Sequence, residues 1–99
     1  MTLVQLIANV AMRDELTALL KALEVDTWQA VEPAIGRTAT GQPRMNDAIW
    51  PGYSTLFFVP LEDDAAESLL DRVAQWNETL GNDERITALS WPLGRVVSV

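Results

Sequence analysis

The first rhythm along the chain has a period of two. Between Leu3 and Val10, the residues Val4, Leu6, Ala8 and Val10 make one wholly apolar face, while Leu3, Gln5, Ile7 and Asn9 make a mixed one. That alternation predicts a strand with one face on a core. Between Arg13 and Leu23 the period changes. Leu16, Leu19, Leu20 and Leu23 fall at i, i+3, i+4 and i+7, the stripe of an amphipathic helix. Asp14 and Glu15 occupy its first turn, where carboxylates complement the helix dipole. Trp28 to Ile35 then reads as a second strand, interrupted late by Pro33.

At Gly36 the apolar rhythm stops. The segment GRTATGQPRMNDAIWPG, rich in Gly, Pro, Thr and Asn, predicts a long loop over about 36–52. Ser54 to Val59 (STLFFV) is a short, strongly apolar strand ended by Pro60. Asp63 or Asp64 starts a second helix, with Ala66, Leu69, Leu70, Val73 and Trp76 as its buried stripe. Gly81, Asn82 and Asp83 form a turn, Arg85 to Trp91 is the last strand, and the tail GRVVSV adds another strand or covers an edge. The order is strand–helix–strand–strand–helix–strand. It predicts an α+β, ferredoxin-like split βαβ plan in a single domain over 1–99: a four-stranded antiparallel sheet with two helices on one face. The other face carries Trp, Phe and Leu and needs a cover, which another subunit supplies.

Composition narrows the chemistry. The chain has 99 residues, 48% of them hydrophobic and 21% charged, which suits one globular domain and argues against disorder. Fourteen Asp and Glu against seven Lys and Arg give a net charge of −7. That balance argues against nucleic acid as a partner, because a phosphate-backbone binder needs a basic face. Cysteine and histidine are both absent, so no disulfide framework, zinc finger, Cys–His nucleophile or Ser–His–Asp triad can be built. The lack of cysteine fits the cytoplasm, the expected location. The N-terminal MTLVQLIANVAM has no preceding basic run and no cleavage site, and is shorter than the roughly 20 apolar residues that span a membrane. It reads as the first strand of a mature soluble protein without membrane insertion.

The first half, LIANVAMRDELTALLKALEVDTWQAVEPAIGRTATG, resembles the nitrogen-regulatory P-II signalling proteins. In that family a strand leads into an acidic-started helix, and the next strand ends in a Gly–Arg step that opens a long T-loop. Here that step is Gly36–Arg37. FFVPLEDDAAESLLDRV is similar to the family's third strand and second helix, and ERITALSWPLGRVVSV to its last strand and tail. The resemblance implies a homotrimer with effector sites in the clefts between subunits. It departs at the nucleotide-binding B-loop, T-G-x-x-G-D-G-K in the family and TLGNDER here. Thr79, Gly81 and Asp83 survive, Arg85 stands in place of the lysine, and the glycines that let amides approach phosphates are reduced. The basic C-terminal stretch is also missing. The resemblance is therefore to the divergent P-II-like proteins, some of them associated with transporters, metal-efflux systems included. No resident cofactor is expected, and adenine nucleotide stays open as a ligand.

The candidate residues follow. Arg37 and Arg44 lie in the loop, where a guanidinium fork suits a phosphate, a carboxylate or an acidic partner. Gly36 and Gly41 serve loop geometry, and Arg85 completes the set for anionic effector groups. Trp50 and Tyr53 bracket Pro51–Gly52 at the loop exit, Trp50 being the candidate partner contact. Trp28, Trp76 and Trp91 read as packing residues. Glu62, Asp63 and Asp64 read as an acidic helix start, and Asp83 with Glu84 matches no calcium-loop pattern, so no metal site is expected. Without His or Cys, soft-metal binding would fall to carboxylates with Met12 or Met45, a weak set. Glu32, before Pro33, reads as a solvated loop residue.

The function expected is a non-enzymatic, P-II-like signal-transduction protein. It binds a small effector at subunit clefts and regulates a partner, such as a membrane transporter or metal-efflux system, by an order–disorder switch in the loop. One alternative is a CutA-like trimer linked to divalent cations. Another is a dimeric, ferredoxin-like, cofactor-independent monooxygenase, for which no reacting pair is evident.

Overall fold

The wholly apolar face of the N-terminal segment is the surface on which the helices close. In the computed structural model, which describes residues 1–98, this segment is β1 (Thr2–Asn9). It is followed by α1 (Arg13–Ala22), β2 (Gln29–Ala34), β3 (Ser54–Leu61), α2 (Asp63–Asn77) and β4 (Thr87–Pro92). The strands lie in the order β2-β3-β1-β4 and are antiparallel throughout. This is the ferredoxin-like split βαβ arrangement.

Register decides which side chains meet. Leu6 lies opposite Phe57 and Ala88, and Val4 opposite Val59 and Ser90. Directly paired residues share a face, so Val4, Leu6, Ala8, Phe57 and Val59 all point to the helices. Leu16 and Leu20 of α1 and Ala66, Leu69 and Val73 of α2 complete the buried cluster. Trp28 packs its ring on Phe57 with centroids 5.2 Å apart. The alternate residues fall on the opposite face: Val31 pairs with Leu56 and Leu56 with Ile7, while Leu3 pairs with Trp91. Leu89 and Phe58 flank Gln5 on the same side. Val31, Leu89 and Trp91 are exposed, and the others are half-buried. This face is apolar and uncovered.

The element ends show what the pattern alone did not carry. β1 stops at Asn9 rather than Val10, because the Asn9 side chain accepts from the Ala11 amide at 3.1 Å and starts a 3-10 turn, Val10–Met12. α1 stops at Ala22. Glu24 adopts a left-handed φ of 59°, and the Val25 amide donates to Leu20 and the Glu24 amide to Lys21, a Schellman closure. β4 begins at Thr87 rather than Arg85. The Asn77 side chain brackets Ile86, accepting from its amide and donating to its carbonyl at 2.8 Å each, so the chain reaches the sheet only one residue later. The tail adds no strand among residues 93–98; the Leu93 amide donates to the Met1 carbonyl at 3.0 Å and extends the edge by one bond. Val99 lies outside the described residues.

Glu32 is a strand residue, contrary to the loop position expected for it. Within β2 it accepts from Arg13 Nη1 at 2.7 Å and ties the start of α1 to the sheet edge. That hydrogen bond raises the Arg13 guanidinium further above its ordinary value. Asp63 behaves oppositely. The Thr2 hydroxyl donates to it at 2.7 Å and the Met1 ammonium stands 3.3 Å away, and together they hold its carboxyl below the usual carboxylate range.

Two outcomes are expected. Phe57→Ala should cost about 3–5 kcal/mol of unfolding free energy by chemical denaturation, since Phe57 is wholly buried at the middle of the sheet. A lowered folded-state pKa means that the stabilisation from Asp63 is present at neutral pH and is lost as pH falls through that pKa. NMR titration should find Asp63 titrating below its ordinary range, and Thr2→Val should move it back up.

Candidate functional site

The loop leaves the sheet where the uncovered face ends. Gly36 has a φ of 149°, in a region L side chains rarely adopt, and this turns the chain across the end of the sheet. The turn encloses a cleft of about 360 Å³, within the size range of ligand pockets. Ile7 and Leu56 form its apolar floor, and Gln5, Ser54 and Thr87 add polar groups from the strands. Gly36, Arg37 and Thr38 form its lip. Arg37 is exposed there, where a guanidinium presents a planar donor fork to an anion. The cleft opens on the face that lacks a cover.

Arg44 takes a different place from the exposed loop position expected of a soluble cation. Its backbone bridges Gly36 through two hydrogen bonds of 2.8 and 2.9 Å, and the residue is only 3% exposed. Its Nε donates to Ser54 Oγ at 2.9 Å, and its Nη1 faces Asp83 Oδ1 at 3.5 Å. Asp83 Oδ1 also accepts from the Gln42 amide at 3.1 Å, and the Thr40 hydroxyl donates to the Asn82 carbonyl at 3.0 Å. The root of the loop is thus stitched to the turn before β4. Gly41 makes the stitching possible. A Cβ there would lie 3.0 Å from Thr38 Oγ1, 3.2 Å from Arg44 Nη1 and 3.3 Å from Asp83 Oδ1.

The distal half of the loop closes separately. The Met45 amide donates to the Trp50 carbonyl at 3.1 Å and the Asn46 amide to Gly52 at 2.8 Å. Asp47 Oδ1 accepts from the amides of Ile49 and Trp50, at 3.1 and 2.7 Å. This small closed tip presents Met45, Ile49 and Trp50 to solvent, with Ile49 80% exposed.

The structure brings the expected residues together only in part, through the Gly36–Arg44 bridge. Gly36 and Arg37 line the cleft, Gly41 and Arg44 sit at the loop root, and Trp50 is on the tip. Arg85 is with none of these. It is exposed, its Nε donates to the Leu80 carbonyl at 3.3 Å, and it lies against Asn77 and Glu78 at the end of α2. Asp83 and Ser54 were missed as partners of Arg44. The loop holds one carboxylate, Asp47, and the sequence does not say which of the other acids reaches a buried guanidinium. Among the described residues, no group of three or more His, Cys, Asp or Glu is arranged to hold a metal. No helix there is long and apolar enough to cross a membrane.

Comparison with solved structures resolves the architecture further. A candidate PII-like signalling protein from Thermus thermophilus superposes with a TM-score of 0.66, covering 91% of this chain and 82% of its own at 17% identity. CPII from Thiomonas intermedia, bound to ADP and bicarbonate, gives 0.67 with coverages of 95% and 88% at 15% identity. CPII bound to ADP, AMP and bicarbonate gives 0.65 with coverages of 97% and 94%, also at 15% identity. The fold is that of the P-II-like signalling proteins. No protein-family model matches the chain, and no curated protein matches it in sequence. In the P-II-like frame, the Gly36–Arg37 step opens the long loop as the sequence pattern indicated, while the turn before β4 is committed to holding the loop root.

Gly41→Ala tests that packing directly. Gly41 has no left-handed φ, so the added methyl acts only by crowding the three polar atoms. The variant should lose about 1–3 kcal/mol in denaturation. Its largest NMR shift changes should fall at Thr38, Arg44 and Asp83, with the α2 amides unmoved.

Proposed function

We propose that this chain is a divergent P-II-like regulator, cytoplasmic and homotrimeric. It binds a small anionic effector in the cleft beside Gly36–Thr38 and signals through the 36–52 loop to a partner protein, with a membrane transporter or metal-efflux system as the partner class that the resemblance favours. The observation that carries the reading is the cleft itself, with an apolar floor of Ile7 and Leu56 under the exposed Arg37 at the rim of an uncovered apolar face. Copies of the chain packed through that face turn each half-open cleft into a site between subunits. The floor suits a flat ring and the guanidinium suits a phosphate or carbonate oxygen. ADP, AMP and bicarbonate, the ligands of CPII, are the class to test.

In this reading Arg37 holds the anionic group and Gly36 gives the backbone its approach. Arg85 contributes less, because its Nε is already engaged by the Leu80 carbonyl. Arg44 and Gly41 act through the loop root, and Trp50, with Ile49 and Met45, meets the partner. A cleft of donors over an apolar floor suits holding a ligand more than transforming one.

Calorimetric titration with ADP, AMP and bicarbonate, on protein of measured mass, tests the proposal. At least one should give a saturable signal. Losing a charge-assisted bond worth about 1.5–3 kcal/mol, Arg37→Ala should weaken it roughly 10- to 100-fold with the mass unchanged. Arg85→Ala should weaken it less. Silence from all three ligands, or unchanged affinity in Arg37→Ala, would overturn the assignment of the cleft.

A further inference from the structure

Buried guanidinium groups in folded proteins are paired and saturated, because an unpaired charge away from water costs several kcal/mol. Arg44 is not saturated. Its side chain is 4% exposed, yet its Nη2 has no hydrogen-bond partner among the described residues. Its single carboxylate, Asp83, stands at 3.5 Å, well beyond the about 2.7–2.9 Å of a good charge-assisted bond. The neighbouring Thr38 Oγ1 is also buried without a partner. Thr38 Oγ1, Arg44 Nη1 and Asp83 Oδ1 gather within 3.0–3.3 Å of the Cβ position that Gly41 leaves empty. The Asp83 side chain is 51% exposed, so the cluster meets solvent on its Asp83 side.

We propose that Asp83 is a built-in counter-anion for Arg44, and that an oxyanion arriving at the loop root displaces it and unlatches the 36–44 segment from the turn before β4. An oxyanion has several acceptor oxygens. It can satisfy Nη1, Nη2 and the Thr38 hydroxyl together, whereas Asp83 reaches the guanidinium once and at long range. Displacing Asp83 also breaks its bond from the Gln42 amide and loosens the Asn9 Nδ2 contact to Oδ2 at 3.4 Å, so the turn and the loop root part together. The anion drives this change only by binding the unlatched state better than the latched one, which removing the Asp83 charge makes easier. The inference deepens the regulatory reading of the loop and rests on it for the biological effector, while the latch is a property of the chain alone.

Amide hydrogen exchange on the full chain, with inorganic pyrophosphate as the probe, tests it. The readout is the Gly36 and Arg44 amides, which bond to each other and not to Asp83. Asp83→Ala should speed their exchange about tenfold without any probe, with Leu6 and Phe57 unchanged. Asp83→Asn, which keeps the shape and removes the charge, should bind pyrophosphate about tenfold more tightly than the unmodified chain. Saturating pyrophosphate should speed the same two amides in the unmodified chain. Unchanged exchange in Asp83→Ala, or pyrophosphate affinity in Asp83→Asn that stays level or falls, would overturn the latch. If these results hold while ADP, AMP and bicarbonate fail to bind, the latch stands and the effector reading falls. If ADP binds in the cleft while pyrophosphate leaves both amides unmoved, the effector reading stands and the latch is overturned.

Discussion

Everything in this fold hangs on the two-residue alternation of β1, a central strand paired with β3 along its whole length and with β4 from Thr2 to Ile7. Val4, Leu6 and Ala8 face the helices and are fully buried, while Leu3, Gln5 and Ile7 face the other way. A slip of one residue in either pairing would send the core set outward, so the hydrophobic demand of the helix layer fixes the register of the whole sheet. The same register gathers Leu3, Ile7, Leu56, Phe58, Leu89 and Trp91 on the opposite face. One constraint thus makes both the core and the apolar surface on which the cleft beside Gly36 opens.

The loop extends this logic with polar contacts. A 17-residue segment of Gly, Pro and polar side chains has little apolar surface to bury, and loop-closure entropy opposes holding it in one shape. It is held by being divided in two. The Gly36–Arg44 bridge closes the proximal part, and the Met45–Trp50 and Asn46–Gly52 bonds close the distal part. The first is tied to the turn before β4 through Asp83, and the second carries an apolar tip. The loop is thus built of two closed parts that meet at Arg44 and Met45.

The strands, helices and core were legible because their signal is periodic: the Leu16–Leu20 and Ala66–Leu69–Val73 stripes announce themselves within a single turn or two. The Gly36–Arg37 step was legible as punctuation, since the apolar rhythm ends there. The state of Arg44 was not. Its burial depends on a backbone bridge to Gly36, on Ser54 ten residues away and on Asp83 thirty-nine residues away. No local pattern encodes such a meeting. The late start of β4 was hidden for a similar reason, being set by the Asn77 amide acting as a stand-in for a strand partner of Ile86. Arg85 was grouped with the loop cations because the resemblance puts it in place of the B-loop lysine, whereas its Nε bonds the Leu80 carbonyl and it lies against the end of α2.

The uncovered face is where assembly is decided. The sheet surface carries Trp91, Leu89 and Val31 exposed beside half-buried Leu3, Leu56 and Phe58, an apolar face that the proposed trimer would cover. Sedimentation equilibrium gives the mass directly. A trimer, three times the 11.0 kDa of the chain, is the predicted result. A species of 11.0 kDa that persists at high protein concentration would contradict it and would leave the cleft beside Gly36 without its second wall.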